Sequence, residues 1–156
     1  MKRSLTLIAL LAVAGSVTAV VTASGQPAHA SKARVIRVDA KFTAQHLVDA
    51  APAGNSDGDN QLGSGLLRKA GTTKNVGRFV TSCINIPTNS GECTFTFALP
   101  GGKIAVLASY GKGFSGDVSA HDPIIGGTGA YASARGYIVD KETGEGKLSV
   151  VFHVTG

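Results

Sequence analysis

From about residue 33 to its end, the chain repeats one pattern: short runs rich in Val, Ile, Thr, Phe and Tyr, broken by Gly, Pro, Asn and Asp, with no sustained helical period. The spacing predicts eight β-strands, near residues 33–48, 61–70, 75–85, 92–99, 102–110, 122–127, 131–140 and 146–155. Where alternation is clean it assigns faces, because successive side chains on a strand point to opposite sides. Ile36, Val38, Ala40, Phe42, Ala44 and Val48 share one face of the first strand, and Arg37, Asp39, Lys41, Thr43 and Gln45 share the other. Phe95, Phe97 and Leu99 form the apolar face of the fourth strand, and Leu148, Val150, Phe152 and Val154 that of the last. Pro100-Gly101-Gly102 and the turn at 141–146 join their flanking strands as hairpins, so the neighbours run antiparallel. A sheet with one apolar face must close on itself or pack on a second sheet, which leaves a barrel and a sandwich both open.

The first thirty residues follow a different pattern. Met1-Lys2-Arg3 is a positive start, residues 5–21 are mostly apolar, and Gly25 and Pro27 precede Ala28-His29-Ala30, a small-x-small site. This predicts a secretory signal peptide over 1–30 and a mature domain over 31–156. The apolar run is shorter than the roughly 20 residues of a membrane span, and no cysteine near Ala30 offers a lipid anchor. The expected product is secreted and free of the membrane after cleavage.

Export changes how the rest is interpreted. Removing the leader takes Lys2 and Arg3 with it, so the formal charge falls from +5 to +3. The remaining Lys and Arg residues are scattered, without the basic stripe and interleaved aromatics of a nucleic-acid binder, so no nucleic-acid partner is expected. The two cysteines, Cys83 and Cys93, flank a turn-rich stretch that lets two strands run side by side, and outside the cell such a pair predicts a disulfide. With no His beside them they do not make a zinc set, and no metal site is expected.

Several motifs resolve into turns. Gly54-Asn55-Ser56-Asp57-Gly58 fits G-x-S-x-G, but a nucleophile elbow needs a strand before it and a helix after it. Asn55, Asp57 and Asp59 alternate like the start of a calcium loop, yet Asn60 stands where that loop needs Gly and Leu66 where it needs Glu. Gly126-Gly127-Thr128-Gly129 resembles a phosphate cradle, but a strand pattern rather than a helix follows it.

The stretch Ile124-Ile125-Gly126-Gly127-Thr128-Gly129-Ala130-Tyr131-Ala132-Ser133-Ala134-Arg135-Gly136-Tyr137 resembles the glycine-rich turn and following strand of the dirigent and allene oxide cyclase-like barrel superfamily, in particular its exported actinobacterial type. Gln61-Leu62-Gly63-Ser64-Gly65, Val76-Gly77-Arg78 and residues 98–104 extend the resemblance over most of 61–156. It implies an eight-stranded antiparallel barrel, a homotrimer, and a lumen that holds an apolar small molecule without a cofactor. The family's arginine maps onto Arg135. Alternation places Tyr131, Ser133, Arg135 and Tyr137 on one face of the seventh strand, with Asp39 and Arg37 as candidates to face them from the first. Arg135 and Asp39 are the expected catalytic pair, and Tyr131, Tyr137, Phe95 and Phe97 the expected ligand contacts. Two functions follow: a cofactor-independent cyclase or isomerase, or a non-catalytic exported barrel that binds a hydrophobic metabolite or joins an extracellular assembly.

Overall fold

Eight antiparallel strands account for nearly all of the described chain: β1 (Arg34–Val48), β2 (Asn60–Lys69), β3 (Asn75–Ile86), β4 (Ser90–Leu99), β5 (Gly102–Gly111), β6 (His121–Gly129), β7 (Arg135–Gly144) and β8 (Lys147–Thr155). The structure is a computed structural model and describes residues 33–54, 56–86, 90–111 and 121–156. The leader expected over 1–30 and Asn55 of the G-x-S-x-G stretch lie outside the described residues. Each strand pairs with its sequence neighbours, and β1 also pairs with β8, from Arg34 opposite Val154 to Lys41 opposite Lys147. The sheet is therefore a closed barrel, which decides between the two architectures that alternation allows.

Below, the lower end of the barrel is where β1 begins and the upper end is where it finishes. The interior is apolar because the inward positions are: Val38 on β1, Leu67 on β2, Phe79 on β3, Phe97 on β4, Ile104 on β5 and Phe152 on β8 are all buried. Across the middle, four rings interlock. Phe42 meets Phe79 edge-on at 4.9 Å, Phe79 lies 6.1 Å from Phe97, and Phe97 meets Phe152 edge-on at 5.0 Å. Phe95 stacks on Phe97 at 5.7 Å. Such pairs contribute roughly 0.5–1.5 kcal/mol each beyond the area they bury. The rings need space on the facing strand. A Cβ at Gly63 would run into the Phe42 ring and Thr81, so glycine there is a packing requirement.

Two details depart from simple alternation. A bulge between Phe42 and Ala44 shifts the β1–β2 register, so the inward face predicted for β1 ends at Phe42, and Ala44 and Val48 are exposed. The seventh strand begins at Arg135 rather than 131, because 130–134 is a turn held by Tyr131 N–H to Thr128 O, Ala132 N–H to Gly129 O and Ala134 N–H to Tyr131 O. Gly129 makes this turn with φ of 61°, a left-handed conformation that costs a non-glycine residue energy. The GGTG run is a strand-to-turn joint.

Cys83 and Cys93 are direct cross-strand partners on β3 and β4 and form a disulfide, with Cα atoms 4.0 Å apart. The bridge closes a loop over a sequence separation of 10. On the chain-entropy account, replacing both residues by serine lowers the unfolding free energy by about 2–3 kcal/mol. Equilibrium urea unfolding, with the far-UV spectrum unchanged in the folded baseline, checks this.

Candidate functional site

The inward row of β7 runs Gly136, Ile138, Asp140. Ile138 is buried opposite Phe152, and Asp140 is the next inward residue toward the upper end, opposite the buried Val150. On β6, Asp122 pairs directly with Ile138 and so shares the inward face. The two strands pair over only three residues, His121–Pro123 with Tyr137–Val139, and the carboxyls sit at this short seam. Both are partly buried, and each is pushed above the ordinary carboxylate value of 3.8. For Asp122 burial is the first cause and the neighbouring Asp140 charge the second, while a backbone hydrogen bond from Ser109 works the other way. For Asp140 the cause is burial, slightly offset by its own backbone N–H.

Phe42 and Phe95 are the partly buried members of the aromatic layer, and farther up β3 and β4 Thr81 and the Cys83–Cys93 bridge follow on the same faces as Phe79 and Phe95, with the Thr81 hydroxyl 3.6 Å from Cys83 Sγ. Tyr110 on β5 reaches Asn85 on β3 through its hydroxyl. Asn85 ties β3 to the 49–59 connection: its N–H donates to Asp59 O, its carbonyl accepts from Gly58 N–H, and its side-chain amide donates to Ser56 O. That connection is organised by Asp59, which is 1% exposed and accepts from Ala50 N–H, Ser56 N–H and the Ser56 hydroxyl. The backbone donors of Ser56 and then Ala50 hold its carboxyl below the ordinary range. Ser56 and Asp59, the polar centre of both loop motifs, therefore shape a loop.

The residues expected at the site fall in several places. Phe95 is partly buried against the aromatic layer, and Phe97 is buried within it. Tyr131 is buried at the lower end, its hydroxyl donating to Pro100 O and its ring beneath the Arg34 guanidinium at 4.5 Å. Arg135 and Tyr137 alternate with the inward Ile138 and so lie on the outer face. Arg135 is exposed and donates to Ala134 O, and Tyr137 lies between His121 at 4.5 Å and His153 at 4.6 Å. Asp39, between the buried Val38 and Ala40, also points outward and accepts from Gly71 N–H at 2.8 Å. With Ile138 inward, Arg135 and Asp39 both lie outside the lumen, and among the described residues Asp122 and Asp140 are acids on the inward faces of β6 and β7.

No family model and no curated protein sequence matches the chain. Among solved structures, a pyocyanin demethylase superposes with a TM-score of 0.63 at 24% identity, over 78% of this chain and 100% of that one. A pterocarpan synthase dirigent protein superposes with a TM-score of 0.64 at 18% identity, over 92% of this chain and 96% of that one. This chain has the dirigent and allene oxide cyclase-like barrel fold. In this dirigent-type barrel the glycine-rich turn and Tyr131 close the lower end, and the acid pair lies toward the other.

A carboxyl whose folded pKa is raised binds its proton more tightly when folded. Its ionisation therefore destabilises the fold as pH rises from 3.8 through the raised value. Asp140→Asn and Asp122→Asn are expected to raise the unfolding midpoint at neutral pH, and the gain should vanish below the ordinary carboxylate value. Thermal unfolding at a series of pH values measures both ends of that window.

Proposed function

We propose that the upper half of the lumen binds a small apolar molecule and that Asp122 and Asp140 handle its protons in a cofactor-independent cyclisation or isomerisation. The observation that carries this reading is the pair itself. Two carboxyls face inward at one short seam of an otherwise apolar barrel, and burial raises the pKa of each. A pair that shares one proton offers an acid and a base side by side. The protonated member donates to an oxygen of the substrate as the ionised member takes a proton from the position that becomes nucleophilic. One bond closes, no net proton is gained or lost, and no oxidant is required. The Phe42 and Phe95 rings supply a flat apolar floor on which an extended molecule is held in one folded shape, and such positioning can contribute many kcal/mol.

The two solved neighbours support a small molecule as the partner, since one is a demethylase of pyocyanin and the other a pterocarpan synthase. The Cys83–Cys93 bridge supports export through the 1–30 leader to an oxidising, extracellular setting. The outer face of β2 and β3, where Leu62, Val80, Ile84 and Ile86 are exposed, supports self-association of the barrel, with a homotrimer as the reading taken from the family resemblance.

The test is binding and turnover by the purified protein, with candidates drawn from an extract of the producing organism and bound species detected by native mass spectrometry. Asp122→Asn and Asp140→Asn are each expected to retain the ligand while slowing its conversion by about 10²–10⁴-fold, the usual contribution of a general acid or base. Retained ligand with an unchanged product profile in both variants makes the barrel a binding protein. Absence of any bound species from the extract removes the lumenal reading altogether.

A further inference from the structure

At the lower end, on the far side of the aromatic layer, a separate recess of about 330 Å³ opens between β1, β2, β3 and the β4–β5 turn. Its wall is apolar: Ile36, Val38, Val76 and Leu99, with the buried Tyr131 ring behind. Its rim carries three cations, Arg34, Arg37 and Lys69, all exposed, and among the described residues no carboxylate lines it. Past Val76, Leu99 and Pro100 it adjoins a second recess of about 520 Å³, lined by Leu66, Ala98 and another cation, Arg78.

We propose that this end is a second binding site, for a single-chain amphiphile that carries one carboxylate. The cations and the apolar wall must be satisfied together. A neutral hydrophobe would use the apolar wall and leave the three cations to water. An inorganic anion would reach the rim and leave the wall wet. A carboxylate on an apolar chain meets both demands. Arg34 is already oriented for it. Its guanidinium is fixed over the Tyr131 ring at 4.5 Å and donates one hydrogen bond to Ala130 O at 3.0 Å, which leaves most of its five N–H donors free to grip a carboxylate. At about 30 Å³ per water-sized group, the recess admits on the order of ten non-hydrogen atoms. The adjoining recess gives the end of a longer chain somewhere to lie. The residues that line it differ from those at the Asp122–Asp140 seam, so its test does not depend on the lumenal chemistry.

Decanoate is the probe, with decanol as its neutral counterpart and anionic phosphatidylglycerol vesicles as the membrane-bound source of the same chemistry. Calorimetry on the purified protein is expected to show decanoate binding at least tenfold more tightly than decanol. The double variant Arg37→Gln/Lys69→Gln, altered only at exposed positions, should weaken decanoate at least tenfold. Asp122→Asn/Asp140→Asn should leave it unchanged. Amide shifts on titration should centre on Arg34, Val76, Leu99 and Tyr131. Equal affinity for decanol, shifts centred on Phe95 and Asp140, or binding to vesicles without binding to free decanoate would each overturn the proposal.

Discussion

Joining β1 to β8 removes both free edges of the sheet and forces eight inward faces to share one interior. A barrel of this strand number is just wide enough for its own side chains to fill, so what fills it sets everything else. Here the filling is a cross-braced layer of Phe42, Phe79, Phe97 and Phe152, with Phe95 stacked on it. Glycine on the facing strand, a bulge in β1 and a turn that stops β7 short at Arg135 are all local adjustments to that closure.

The layer also decides where polar chemistry is tolerated. Below it the interior is apolar and is plugged by Tyr131. Above it, at the short seam between β6 and β7, two carboxyls face inward and resist ionisation. A third acid, Asp59, is even less exposed but accepts three hydrogen bonds, and its carboxyl is held low rather than high. Burial alone does not set the direction of an acid's shift. Asp59 is buried among donors that hold its carboxyl low, whereas at Asp122 and Asp140 burial outweighs the backbone donors.

Much of this was legible in the chain. Short apolar runs between turn residues located eight strands, with clean alternation in the first, fourth and last, and the turn residues between Cys83 and Cys93 pointed to their pairing across β3 and β4. The site was not legible, for a specific reason. In Arg135-Gly136-Tyr137-Ile138-Val139-Asp140 both faces carry apolar residues, so the pattern does not say which side is inward, and starting the strand at 131 placed Arg135 and Tyr137 in the lumen. Asp122, between His121 and Pro123, stands in a context that suits a turn acceptor as well as an acid at the barrel mouth. The phase of Ile138 against Phe152, which settles both assignments, is a long-range contact that local pattern cannot supply. Asp39 was misplaced likewise: the polar side of β1 meets water, because the lumen is filled with rings.

The seam acids are carried by β6 and β7, whereas the cations of the lower recess are carried by β1 and β2, so a substitution in one set leaves the residues of the other unchanged. Closing the sheet thus lets one domain present two differently lined ends. The same fold carries a pyocyanin demethylase and a pterocarpan synthase dirigent protein, so one barrel type serves more than one chemistry.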